Sequence, residues 1–275
     1  MCNGTIRVVI YWVCFALGIM QHEVKAQNQN PDIDVIVNKD IAYKKSVRAS
    51  NDTITLALDI YSRKATSPGK HPAIIFVHGG GFWEGDKRND VYIKMATAFA
   101  VHGYIAFSVN YRLKKKDAPY SNLVLDTCIS DVMAAVRWIY QNSERLGIDT
   151  SKIFVCGDSA GGGIVVNLSY NPAYHYHFAG CIDLWGGLPG RQSWDTPVFS
   201  APFTRHIPPT CMIHGTNDQV VPYATSRQLA NALTAEGIYN ELHPLINADH
   251  YPVQLAEQFI PVMISFADKT MLLPL

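Results

Sequence analysis

The chain has 275 residues, 48% of them hydrophobic and 17% charged, with 23 Lys and Arg matched by 23 Asp and Glu. Such a composition excludes a disordered tail, a collagen-like repeat and a coiled coil. A formal net charge of zero excludes bulk electrostatic attraction to nucleic acid or to an anionic membrane surface.

The first element is not part of the fold. Arg7 precedes an apolar run over residues 8–20, and a polar stretch ends in Val24-Lys25-Ala26. A basic residue, a short apolar core and small residues before the cut read as a secretory signal peptide over 1–26, cleaved before Gln27. The run is shorter than the ~20 residues a comfortable span requires, which leaves an uncleaved anchor as the alternative. The expectation is a secreted or periplasmic protein with no membrane span in its mature part. Cys2 and Cys14 belong to this segment, leaving Cys128, Cys156, Cys181 and Cys211. None forms a Cys-x-x-Cys pair, and the last three sit in apolar runs, so buried free thiols are expected although an exported protein permits disulfides.

From residue 27 to 275 a single domain is expected. Alternation over 54–61 predicts a half-buried strand paired with 41–46 across a turn near Asn51. Continuous apolar runs at 73–77, 104–109, 153–156, 179–185 and 210–213 predict strands buried on both faces, and 239–243 is a weaker last strand. Helical spacing appears between them, over 91–102, 123–145, 160–170, 224–236 and 252–268. Strands alternating with helices imply a mostly parallel sheet of about eight strands, with helices on its faces. Residues 187–209 break the rhythm with prolines, glycines and three large aromatics, and are expected to form a lid-like excursion.

Four motifs carry chemistry, each just beyond an expected strand. Gly157-Asp158-Ser159-Ala160-Gly161 fits Gly-x-Ser-x-Gly between a strand and a helix, the setting in which a sharp turn exposes a serine hydroxyl as a nucleophile. His78-Gly79-Gly80-Gly81-Phe82-Trp83 follows an earlier strand, where backbone N–H groups belong that would stabilise an oxyanion. Asp218 follows the strand at 210–213, and His250 the last one. The order Ser, Asp, His is that of the α/β-hydrolases. Asp249 competes with Asp218 for the acid role, though its adjacency to His250 makes the geometry awkward. Phe82, Trp83, Tyr111 and Trp185 fall near strand ends, and read either as lining of an acyl or aryl pocket or as core aromatics. His175 and His177 lack neighbouring Cys or carboxylate ligands in sequence, so no metal site is expected.

These motifs, together with Leu58-Asp-Ile-Tyr61, Gly85-Asp86 and His214-Gly215, resemble those of α/β-hydrolase serine esterases of the hormone-sensitive-lipase-like and carbohydrate-esterase-like group. The resemblance implies an α/β-hydrolase fold without a large cap and a carboxylesterase working through Ser159, Asp218 and His250. It also implies an oxyanion hole built from the N–H groups of Gly80, Gly81 and Ala160. No cofactor is required. The implied partners are small or polysaccharide-linked esters, with acetyl-xylan and feruloyl esterases among the uncapped members. An amidase of the arylformamidase type, an acyltransferase and a catalytically silent binding protein remain alternatives.

Overall fold

A computed structural model describes residues 34–48, 51–64, 68–171, 176–187 and 207–273. The expected leader at 1–26, most of the excursion at 187–209, and His175 lie outside the described residues. Among the described residues no helix is long and apolar enough to cross a membrane.

The chain enters through two long antiparallel strands, β1 (Val35–Val47) and β2 (Thr53–Arg63). The strands β3 (His71–Val77), β4 (Ile105–Val109), β5 (Ile148–Asp158), β6 (Gly180–Leu184), β7 (Thr210–Gly215) and β8 (Asn240–Leu245) complete the sheet. The spatial order is β1-β2-β4-β3-β5-β6-β7-β8. The two pairings that involve β2 are antiparallel and every later pairing is parallel. Between strands run α1 (Asp90–Val101), α2 (Asn122–Gln141), α3 (Ser143–Leu146), α4 (Ala160–Tyr170) and α5 (Ala224–Ala235). A 3-10 turn, Val253–Leu255, leads into α6 (Ala256–Thr270).

Successive strand side chains point to opposite faces, and β3 shows the consequence. Ala73, Ile75 and Val77 join a core layer with α2, α4 and α5, whereas Ile74 and Phe76 join a second layer with α1 and α6. A strand covered on both faces has no polar position to offer, which is why the inner strands read as unbroken apolar runs. The helix expected over 123–145 divides at Asn142, whose Nδ2 donates to Trp138 O at 2.8 Å. Gly147 then closes α3 in the left-handed region at φ +69°. All four described cysteines are buried free thiols, as their apolar surroundings imply.

Parallel strands deliver their carboxyl ends to one edge of the sheet, and loops there meet above it. Ser159 follows β5 directly, Asp218 lies three residues beyond β7, and His250 lies five beyond β8. The topology therefore brings together three residues that are far apart in the chain.

Candidate active site

The turn from β5 into α4 is tight because its neighbours leave no alternative. A Cβ on Gly161 would sit 2.1 Å from Val77 O, so no larger residue fits where α4 crosses β3. Ser159 adopts φ +48°, ψ −117°, a region that L-residues rarely occupy. Its own N–H donates to Leu184 O at 2.9 Å on β6, which holds the strained residue in place.

His250 Nε2 lies 2.9 Å from Ser159 Oγ, and His250 Nδ1 lies 2.7 Å from Asp218 Oδ2. These contacts join residues 91 and 32 positions apart in sequence. Asp218 Oδ1 accepts the N–H groups of Val220 and Val221 at 2.8 and 2.9 Å, and Oδ2 also faces His214 Nε2 at 3.1 Å. Burial alone would raise the Asp218 carboxyl, but donors from His214, His250, Val221 and Val220 outweigh it and hold the group well below the usual carboxylate range. Asp249, the sequence competitor, is exposed.

The glycine loop faces the same hydroxyl. Gly79, Gly80, Gly81, Ser159 and His250 all line one cleft of about 810 Å3. Gly80 stands at φ +104°, and a Cβ there would lie 2.2 Å from Glu84 O; its carbonyl accepts the N–H groups of Trp83 and Glu84, each at 3.0 Å. Ala160 is the first residue of α4, so its N–H is one of those that no carbonyl within the helix can reach.

The loop is anchored from beneath. His78 is buried and stacks on Tyr111 at a ring separation of 4.4 Å, and its Nδ1–H donates to Gly79 O at 2.8 Å. Burial pushes the His78 imidazole down to about 4. Further along the loop, Lys87 Nζ reaches Asp40 and Asp59 at 2.9 Å each, and Arg88 Nε meets Asp59 at 2.6 Å. Asp59, inside Leu58-Asp-Ile-Tyr61, is fully buried and thus ties the loop to β2.

Of the four aromatics assigned to a substrate pocket, only Trp83 lines the cleft. Phe82, Tyr111 and Trp185 are buried and support the site from behind. Phe82 packs against Tyr120, the Tyr111 hydroxyl donates to His78 O at 2.8 Å, and Trp185 Nε1–H donates to Asp158 Oδ2 at 3.3 Å. Phe82 and Trp185 both stand in the left-handed region, at φ +66° and +39°. The cleft wall is instead completed by Glu84, Asp86, Tyr92, Val220, Val221 and Tyr251, with Asp158 beneath. Tyr92 was hidden in the apolar spacing of α1, and Asp158 in the variable position of the serine motif.

Cys211, Glu241 and His243 offer potential metal ligand atoms within 4.8 Å of one another on β7 and β8. Glu241 is already engaged by Tyr239, His243 and Lys269, at 2.6, 2.8 and 3.0 Å. An ammonium on that carboxylate opposes a second cation.

A family model described as Phospholipase/Carboxylesterase matches residues 121–267, more than half of the chain, and a second, BD-FAE, matches residues 58–173. Esterase LipC of Mycobacterium tuberculosis is 28% identical over 231 residues, which cover 70% of this chain and 55% of LipC. Carboxylesterase NlhH of the same organism is 42% identical over 94 residues, covering 34% of this chain and 27% of NlhH. The chain thus spans about half the length of the first relative and about a quarter of the second. Among solved structures, apo Thermogutta terrifontis esterase 2 superposes with a TM-score of 0.69 at 25% identity, covering 89% of this chain and 97% of that one. Its propionate-bound form gives 0.67 at 25% identity over 87% and 94%. A truncated carbohydrate esterase from gut microbiota shares the fold at a TM-score of 0.68 and 19% identity, over 86% and 96%. With its architecture superposing on these esterases and most of its second half fitting the Phospholipase/Carboxylesterase model, the chain belongs to the phospholipase/carboxylesterase family, built on the α/β-hydrolase fold.

Proposed function

We propose that the protein is a serine carboxylesterase that cleaves short-chain acyl or aryl esters through an acyl-enzyme. The observation that carries this is the continuous contact from Ser159 Oγ to His250 Nε2 and from His250 Nδ1 to Asp218 Oδ2, at 2.9 and 2.7 Å, opening on a glycine-lined cleft. Ser159 Oγ attacks the ester carbonyl while His250 Nε2 takes its proton. Asp218 keeps the remaining N–H on Nδ1 and offsets the positive charge that forms on the ring. The carbonyl oxygen becomes an oxyanion against the N–H groups of Gly80, Gly81 and Ala160. His250 then returns its proton to the departing alcohol, and water repeats the sequence to free the acid.

A short acyl group is supported by the cleft itself. About 810 Å3 accommodates a small ligand, and Trp83, Tyr92, Val220, Val221 and Tyr251 provide apolar wall. The propionate-bound relative in the same fold supports the same size class. For the natural substrate we favour acetylated or feruloylated plant polysaccharide, supported by the carbohydrate esterase among the structural neighbours. The leader-like segment 1–26 supports export to the periplasm or the medium.

A rate panel across p-nitrophenyl acyl lengths, methyl ferulate and acetylated xylan tests the substrate class, and fluorophosphonate labelling followed by peptide mapping tests the nucleophile. Modification at Ser159 with fastest turnover on acetyl to butyryl esters is the expected result. Labelling elsewhere, or none, discards the mechanism.

A further inference from the structure

Asp218 meets two imidazoles, and the acyl-transfer steps use only one. We propose that the second, His214, is a positioning residue that holds Asp218 Oδ2 in register with His250; this rests on the esterase reading above and deepens it. His214 is fully buried on β7, four residues before Asp218. Its Nε2 lies 3.1 Å from Asp218 Oδ2 and 2.9 Å from Val221 O, and its Nδ1 lies 2.7 Å from Ser226 Oγ on α5.

The chemistry of these partners determines where the ring proton sits. A carboxylate and a carbonyl both only accept, so Nε2 carries the hydrogen and shares it between them. Nδ1 is then the acceptor, and the Ser226 hydroxyl donates into it. The opposite tautomer would set a lone pair against two oxygens in a buried site. Ser226, itself fully buried, thus satisfies the ring nitrogen that this tautomer leaves without a hydrogen.

The result is a carboxylate held on both oxygens, Oδ1 by the N–H groups of Val220 and Val221, Oδ2 by two rings. Without the His214 donor, Oδ1 stays anchored but Oδ2 loses one of the two contacts that fix its direction. Around His214 stand Asp218 on the following loop, Asp183 on β6, and Tyr223 edge-on at a ring separation of 5.9 Å. His250 faces Asp218 and, from the serine turn, Asp158.

Two substitutions separate positioning from mere support. Gln at position 214 places an amide donor where Nε2 stood, whereas the shorter Asn reaches only as far as Nδ1. In the full chain, assayed on p-nitrophenyl butyrate, His214→Asn is expected to lower kcat roughly 10- to 100-fold with KM within about threefold. His214→Gln is expected to recover most of that loss. The acid limb of kcat/KM moves in the Asn variant and stays in place in the Gln variant, because only in the former does Asp218 meet His250 in an altered register. Should His214→Asn not fold, Ser226→Ala is expected to lower kcat several-fold with the same movement of the acid limb. Equal kcat in the Asn and Gln variants, or in Ser226→Ala and the unaltered chain, overturns the proposal. An unaltered chain that hydrolyses no ester and takes no fluorophosphonate on Ser159 overturns the esterase reading, and this inference with it.

Discussion

Asp158 Oδ1 accepts the Gly79 N–H at 2.7 Å, so the turn that presents the serine hydroxyl is fastened directly to the loop that presents the glycine amides. The two halves of the site come from different strands, β5 and β3, and this bond joins them one residue from Ser159. Gly79 N–H also faces the Tyr92 hydroxyl at 3.1 Å. Replacing Asp158 with Ala removes the shorter partner and is expected to lower kcat/KM roughly three- to tenfold, a hydrogen bond contributing about 0.5–1.5 kcal/mol. Asp158→Asn retains an acceptor and is expected to keep most activity. Steady-state kinetics of the two variants decide the matter: equal losses would remove the role given to this contact.

Two buried carboxyls make stability depend on pH. Burial raises Asp158 to about 7 and Asp183 to about 6, each from an ordinary value of 3.8. The Asp183 oxygens have no hydrogen-bond partner of good geometry among the described residues. For both groups the folded state favours the protonated form. Their contribution to stability is complete below about pH 4 and is lost as the pH rises through 6 and 7. The unaltered protein is expected to lose Tm between pH 5 and pH 8, and Asp183→Asn, which cannot titrate, to lose less. Thermal unfolding at both pH values checks this, and an undiminished pH dependence in the variant contradicts it.

The backbone of Ser159 carries strain for the sake of the hydroxyl. At φ +48° a non-glycine residue costs about 1–3 kcal/mol. Ser159→Ala keeps that strain and is expected to leave a folded protein of similar Tm with hydrolysis reduced by several orders of magnitude. Ser159→Gly loses the same activity but relieves the turn, and its Tm is expected to rise by a few degrees. Calorimetry of the pair separates the two effects. A glycine variant no more stable than the alanine variant would show that the strain is absorbed elsewhere.

Lys87 and Asp59 are both buried, and the glycine loop depends on their pairing. Asp59→Ala leaves the ammonium with only the more exposed Asp40 and is expected to destabilise the fold by about 3–5 kcal/mol. Because the loop from His78 to Arg88 is fastened to β2 at this point, kcat/KM should fall even at temperatures where the variant is folded. Urea titration and assays at 10 °C test both halves of that expectation.

Most strand positions were legible in the sequence because a doubly covered strand has no polar face to confuse its pattern. β8 was the weakest, since its side chains are mainly half-buried and an edge strand mixes polar with apolar residues. The division of the long helix at Asn142 was not legible, since it depends on a side-chain bond to Trp138 O.

By itself the sequence determined the strand–helix alternation and the order of Ser159, Asp218 and His250 beyond strand ends. It also determined where the glycine loop stands, because tight turns and exposed nucleophiles tolerate few residue types. Only the tertiary structure decided that Phe82, Tyr111 and Trp185 turn into the core while Tyr92 and Tyr251 face the cleft, and that His214 closes on Asp218. A local pattern constrains the backbone of each segment, whereas the direction of a loop side chain, and the partner it meets, depend on residues brought there by other strands.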